Sequence, residues 1–530
     1  MTTTSPRRAS ERQWWGLAVL GLPTLLLSLD FSVLYLALPS LAADLSPSGV
    51  QELWIMDIYG FMTAGFLVTM GTLGDRIGRR RLLLIGAAAF GVASIAAAFS
   101  PTAEMLIASR ALMGVAGAMV LPSTLALISS LFKDPRQMAF AISMWMACFM
   151  GGLVVGPVIG GALLCTFWWG SVFLLGVPVM VLLLLLGPSL LPEDQEPESG
   201  KLDMTSVAMS LIAVLGTVYA LKDLAREGWT ATALLVLVVS LVVGAVFVRR
   251  QLGLESPLLN VRLFEDRVFS TTLVIWMLGG AGQGGVSFLV AQHLQSVLGL
   301  STLTAGLALV PASAAMIAAI LAAPALASRF GPARVMAGGL VVAAIGAMIM
   351  TQIGPDDLTT LLIGYSLGIL GLGMPSGLVP TLVLRTAPAE RAGSASAIQE
   401  TTGEFGMAAG VAALGSIATA VYGAVMRENA PHGTPAEAFS SLSGAVTAVE
   451  GLPSATANDL LYAAQSAYTD GLIAVCLVAA IAFAALAVLA VTQLRGVKMH
   501  DEEQLAIHDS SGSDGQTADD GRYEPRPGRS

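Results

Sequence analysis

Fourteen runs of apolar residues, each long enough to cross a bilayer as a helix, dominate this 530-residue chain. A hydrocarbon core about 30 Å thick needs roughly 20 consecutive apolar residues at a helical rise of about 1.5 Å. Bounded by charge, glycine or proline, the runs fall at 16–39, 53–73, 82–99, 105–132, 138–164, 169–191, 204–221, 231–248, 269–294, 304–327, 335–353, 359–384, 395–426 and 471–494. Charged residues make up only 12% of the chain and apolar ones 55%. An ordinary soluble protein carries about twice that share of charge. The expected fold class is an all-α polytopic membrane protein. The formal net charge of −9 and the absence of a Gly-X-Y period exclude a nucleic-acid binder and a collagen. Cys148, Cys165 and Cys476 lie far apart in or beside apolar runs and imply no disulfide framework or zinc site.

Cytoplasmic loops retain Lys and Arg during insertion, so the basic residues set the orientation. With the N-terminus inside, 23 of the 27 basic residues fall on the cytoplasmic side, among them Arg7, Arg8, Arg12, Arg76, Arg79, Lys133, Lys201, Arg249, Arg329, Arg334 and Arg391. Only Lys222, Arg226 and Arg427 fall outside, and Arg110 lies within a span. An even number of spans with both termini cytoplasmic follows. The first run contains Asp30 and precedes thirteen others, so it reads as a span and not as a cleaved signal peptide.

The turn after the second run reads Gly71-Thr-Leu-Gly74-Asp75-Arg76-Ile-Gly78-Arg79-Arg80-Arg81, and the turn after the tenth reads Ser328-Arg329-Phe-Gly331-Pro-Ala-Arg334. The second resembles a worn copy of the first. That echo predicts repeated halves, a common transporter plan: a six-helix bundle in 1–191, two inserted spans in 204–248 and a second bundle in 269–494. The outside loop 427–470 has room for two short helices, at Pro435–Glu450 and Ala455–Ala467, and reads as a flap or hairpin. The tail, 495–530, is rich in Ser, Asp, Gly and Glu and is expected to be disordered.

Ionisable groups inside the spans are the sharpest pointers to function, since each costs at least roughly 2.5–3.5 kcal/mol at mid-span. They are Asp30 in the first run, Asp57 near the outer end of the second, Arg110 in the fourth, and Glu400 and Glu404 in the thirteenth. Glu400 and Glu404 stand four residues apart and share one helix face. Four carboxylates face one arginine, and burial with like-charge repulsion keeps them from all ionising together. Such a carboxylate can hold either a proton or an organic cation. Two members carry a local alternative: Asp57 can reach interface water, and Glu400 can be partly solvated from the cytoplasm. Phe61, Trp145, Phe149, Trp276, Phe405 and the methionines Met144, Met146 and Met150 are candidates to line an adaptable apolar cavity, although such residues more often belong to the core or face lipid.

Four segments together resemble one known group, the fourteen-span drug/proton antiporters of the major facilitator superfamily, especially exporters of quaternary ammonium compounds. They are Leu29-Asp30 through Leu38-Pro39, the Gly71–Arg81 turn, Arg110 with Gly114, Gly117 and Pro122, and Gly152-Leu-Val-Val-Gly156-Pro157-Val-Ile-Gly160-Gly161. The resemblance implies two pseudo-symmetric bundles around a cavity that opens alternately to each side. It implies a gate at Gly71, Gly74, Asp75, Arg76, Gly78 and Arg79, against the plainer reading of a basic topogenic loop. For Gly152, Gly156, Pro157, Gly160 and Gly161 it implies a seal between halves, against the plainer reading of close helix packing. It also implies an Asp30–Arg110 pair between spans 1 and 4. Some relatives place a further carboxylate in span 10, where this chain has Pro311-Ala-Ser-Ala-Ala-Met316.

The expected function is efflux of lipophilic cations across the cell membrane in exchange for protons, by a chain acting as a monomer, with no cofactor, metal or nucleic acid. The expected partners are those cations, protons and the lipid bilayer. The competing reading is an exporter dedicated to one endogenous metabolite or lipid. An intramembrane metalloprotease lacks its His-Glu-x-x-His, and no P-loop is present for ATP.

Overall fold

The computed structural model describes residues 10–47, 49–192, 203–227, 230–254, 259, 261–354, 357–388, 392–431, 434–439, 441–449 and 453–497. Arg7, Arg8, Lys201, Arg391, Lys498 and nearly all of the tail named above lie outside these residues, as do the side chains of Asp57 and Pro157.

The long helices are α1 (Glu11–Leu45), α2 (Gly49–Ile77), α3 (Arg79–Ala98), α4 (Ala103–Leu131), α5 (Pro135–Thr166), α6 (Ser171–Leu190), α7 (Met204–Glu227), α8 (Ala231–Gln251), α9 (Arg267–Gln292), α10 (Thr302–Phe330), α11 (Pro332–Met350), α12 (Leu358–Thr386), α13 (Ala392–Asn429) and α14 (Ser454–Gln493). No strand occurs among the described residues. By length and composition, eleven of the described helices can cross a membrane. Polar side chains fix where several begin. Thr102, Asp134, Thr230, Asp266, Ser301 and Asp357 each accept a bond from an amide of the following first turn, which would otherwise be unsatisfied. The helix of α6 is interrupted at Leu175, because Pro178 has no N–H to offer the Leu174 carbonyl.

Packing follows a repeat. α1 packs on α4, α5 and α6, α2 on α4, and α3 on α4 and α6. Eight helices later the same pairs recur: α9 on α12, α13 and α14, α10 on α12, and α11 on α12 and α14. Across the middle, α2 meets α13 and α5 meets α10. Helix α7 packs on α8 and lies against both α2 and α13, covering that seam. The two echoed turns share a backbone conformation: Gly78 has φ 97° and ψ 130°, and Gly331 has φ 86° and ψ 147°. Both lie where L side chains are disfavoured, which is why glycine survives in the worn copy.

The loop read as external departs from the sequence reading. Residues 455–467 do not form a separate short helix but extend α14, which starts at Ser454. Between α13 and α14 stand a short turn, Ala436–Phe439, and a short helix, Leu442–Ala448. Leu442, Ala445 and Ala438 bury themselves against Tyr422 and Met426 of α13 and Leu460 and Ala464 of α14, and the Tyr422 hydroxyl donates to the Ala438 carbonyl at 2.9 Å. Packing of Leu460 and Ala464 beside Tyr422 and Met426 carries the helix through 455–467.

Candidate functional site

The most deeply buried charge, Arg110, is paired with a buried aspartate. Arg110 of α4 is 1% exposed and Asp30 of α1 is 8% exposed. The Arg110 Nη1 donates to Asp30 Oδ2 at 3.0 Å, and its Nε donates to the Ile55 carbonyl of α2 at 2.8 Å. The guanidinium carbon sits 5.2 Å from the Tyr59 ring centroid and 5.8 Å from that of Phe173, within cation–π range. Gly114, one turn beyond Arg110, makes this reach possible: a methyl group there would come within 2.5 Å of the Tyr59 carbonyl and push α2 away. The spacing of Arg110, Gly114 and Gly117 therefore brings a donor to the α2 backbone and removes the bulk that would block it.

Glu400 and Glu404 extend from α13. Glu400 is partly exposed and accepts from Gln399 Nε2 at 3.3 Å, whereas Glu404 is exposed. The two carboxylates lie within electrostatic reach of each other. The Tyr59 hydroxyl lies within such reach of Asp30, Arg110 and Glu404. One α2 side chain thus lies within electrostatic reach of both the α1–α4 pair and a carboxylate of α13. Sequence reasoning passed over Tyr59, although a lone phenol two residues after Asp57 in an apolar run was a usable signal.

At the far end of α2, Asp75 Oδ1 accepts from Arg79 Nε at 3.1 Å and from the Gly393 amide at 3.0 Å, while Oδ2 accepts from the Ser394 amide at 2.9 Å. Asp75 thus binds the first-turn amides of α13 from a different part of the chain, where the helix dipole favours an anion. Gly71 and Gly393 allow the approach: a methyl group on Gly71 would come within 2.6 Å of the Gly393 carbonyl, and one on Gly393 within 2.5 Å of Asp75 Oδ1. Arg80 supports the same end by donating to the Pro188 and Leu191 carbonyls at 3.4 and 3.3 Å. On the opposite seam the Ser143 hydroxyl of α5 donates to the Gly377 carbonyl of α12 at 3.1 Å. Gly393, Ser394, Ser143 and Gly377 carry no sequence signal, because each matters only through a helix remote in the chain.

Removing the Asp75 carboxylate releases its two bonds across this seam and the one from Arg79. Asp75→Ala is expected to weaken the α2–α13 contact by about 0.5–2 kcal/mol, the usual worth of a helix N-cap. Disulfide trapping between cysteines placed at Thr72 and Ser394, whose hydroxyls lie 3.3 Å apart, is expected to slow measurably in the variant. An unchanged trapping rate would argue that Asp75 does not hold the seam.

Of the glycines in α5, Gly152 and Gly160 face α1: added methyl groups would run into the Ser28 hydroxyl and Leu25 carbonyl, and into the Val33 side chain, respectively. Gly161 meets nothing within 4 Å, and Gly156 is buried. Trp145 and Met146 are buried in the core, the Trp145 indole donating to Thr124 Oγ1 at 3.0 Å. Trp276 donates to the Gln399 carbonyl at 3.0 Å, and Phe61 stacks beside Trp54 and Tyr219.

A sequence profile of the Major Facilitator Superfamily matches residues 20–411. The multidrug efflux pump LfrA of Mycolicibacterium smegmatis is 43% identical over 498 residues, covering 92% of this chain and 98% of that protein. The methyl viologen resistance protein SmvA of Salmonella typhimurium is 35% identical over 472 residues, covering 86% and 93%. Among solved structures, the human organic anion transporter MFSD10 (TETRAN) shares the fold at 15% identity with a TM-score of 0.57, over 89% of this chain and 99% of that one.

Proposed function

The chain belongs to the Major Facilitator Superfamily, and from that premise we propose that it exports lipophilic organic cations across the cell membrane in exchange for protons. Membership and the similarity to named efflux pumps make it a multi-pass membrane transporter related to drug exporters; the cation, the proton and the direction are the proposal. The observation that carries it is that acids from separate helices come within electrostatic reach of Tyr59 or of one another: Asp30, paired with Arg110, and Glu404, itself within reach of Glu400. Asp57 belongs to the same proposed chamber by its place on α2, one turn or less from Ile55 and Tyr59.

In this reading a positively charged lipophile and a proton compete for the Glu400–Glu404 carboxylates. The Asp30–Arg110 pair couples that exchange to movement of α1 and α4 against α13. A ligand shifts such an equilibrium only by its different affinity for the two states, and a carboxylate that faces one chamber in both states supplies that difference by changing its proton.

The architecture proposed is fourteen spans, in two six-helix bundles, α1–α6 and α9–α14, with α7 and α8 inserted. The recurrence of helix pairs at an offset of eight supports it, as do the lengths of α1, α2 and α5, at 35, 29 and 32 residues. Both termini are proposed to be cytoplasmic, from the distribution of basic residues. The inter-bundle bonds of Asp75 and Ser143 then lie at the cytoplasmic end, which makes this arrangement closed to the cytoplasm. The protein is proposed to work as a monomer.

The test is ethidium transport by the purified protein in proteoliposomes with an imposed pH gradient. Wild type is expected to exchange ethidium for protons, and Glu404→Gln to lose at least about nine-tenths of that flux, since one interaction of roughly 1.4 kcal/mol is tenfold. Transport of neutral compounds but not of ethidium would favour the dedicated exporter, and full flux by Glu404→Gln would sink the assignment of the acid.

A further inference from the structure

The second turn has lost what the first uses to bind a neighbouring helix. Aligned on their positive-φ glycines, Asp75 corresponds to Ser328, whose hydroxyl turns back to its own Ala325 carbonyl at 2.8 Å. Seven residues beyond the glycine the first copy has Ile85, 46% exposed, on the outer surface of α3. The second copy has Gly338, where an added methyl group would meet nothing within 4 Å. The missing side chain leaves a groove of about 390 Å³ between α10, α11 and α12. Its apolar walls include Leu326, Phe330, Val335, Val342, Leu370 and Met374, and Arg334 is the charged residue on its lining.

The rim is positive. Arg334 is exposed and reaches the Phe330 carbonyl at 3.5 Å, and the Arg329 guanidinium lies 5.3 Å from the Phe330 ring. Among the described residues neither arginine has an ion-paired carboxylate. Helix α11 begins here, just after Gly331, with no side chain capping its first amides, so the helix dipole adds to the positive field. An apolar trough ending in two arginines complements an acyl chain joined to an anionic head group.

We propose that the groove between α10, α11 and α12 binds an anionic phospholipid, with one acyl chain along the Gly338 surface and the phosphate held by Arg334 with Arg329 beside it. A soluble anion would use the arginines and leave the trough empty. A zwitterionic lipid would fill the trough but place a cationic group near the same arginines. The site lies on the outer surface of the helices, apart from the acids around Tyr59, so its ligand is a bound component of the bilayer and not the transported compound.

Native mass spectrometry of the purified full-length protein, incubated with dioleoyl phosphatidylglycerol or dioleoyl phosphatidylcholine, tests this. Wild type is expected to retain phosphatidylglycerol with about tenfold preference, the worth of one charge-assisted hydrogen bond. Arg334→Gln, an exposed change that leaves the core untouched, is expected to bring the two lipids near parity. Gly338→Ile, which restores the side chain found at the corresponding place in the first copy, is expected to lose both lipids. Equal retention of both lipids by wild type, or undiminished phosphatidylglycerol binding by Gly338→Ile, would overturn the proposal. Displacement of the lipid by excess inorganic phosphate would also overturn it, by showing that the arginines act without the trough.

Discussion

Asp30→Leu is expected to leave the protein poorly folded and unable to transport, by a wider margin than Arg110→Leu. Breaking a buried ion pair costs about 3–5 kcal/mol when the surviving charge stays in place. The two partners differ in how they can escape that cost. An aspartate left alone can take up a proton and become neutral, whereas a guanidinium stays charged. In Asp30→Leu the Arg110 side chain keeps its bond to the Ile55 carbonyl and its contacts with Tyr59 and Phe173, but these do not neutralise it. Asp30→Asn keeps an oxygen for the guanidinium and is expected to fold while losing cation-driven proton exchange. Thermal unfolding of the three purified variants, read beside ethidium exchange, distinguishes the cases. A melting curve for Asp30→Leu that matches wild type would mean the pair does not hold α1 to α4.

Gly152→Val is the second change expected to abolish the protein outright. Helices α1 and α5 touch along Leu25, Ser28 and Leu29, and at Gly152 there is no space for even one added carbon. Overpacking of a core by a methyl or two costs about 1–3 kcal/mol where neighbours can shift. Here the obstacle includes the Leu25 carbonyl, which moves only with its helix. Gly161→Val, within the same motif, faces open space and is expected to be tolerated. Surface expression and ethidium exchange compared for the pair provide the check. Equal behaviour of the two variants would mean that the motif acts otherwise than through the α1–α5 contact.

The fold was legible because its constraint is simple. Apolar length reports a helix in a bilayer without knowledge of neighbours, and 204–221 and 231–248 sit within α7 and α8. The boundary that failed, at 455–467, lies outside the apolar runs, where length says nothing and packing against Tyr422 and Met426 decides. Within the candidate site, Asp30 and Arg110 stood out because charge inside an apolar run needs a reason. Gly393 and Ser394 did not, since backbone amides are present at every position and only the arrival of Asp75 makes these two distinctive. The glycines of α5 were visible as a group, and their period of four set Gly152, Gly156 and Gly160 on one face with Gly161 off it, but it could not name α1 as the helix that face meets.

Helix α5 begins with its own cap, Asp134, which accepts from the Arg136 and Gln137 amides at 3.0 and 2.9 Å. Helix α13 borrows the carboxylate of Asp75 instead. Parting the α2–α13 edge would strip a helix of an anion it does not carry itself, whereas the Ser143 bond of the α5–α12 edge is neutral. The two margins of the molecule are therefore unequal in kind, one fastened through a charge and the other through a neutral hydroxyl, and in the proposed exchange the charged margin is the latch.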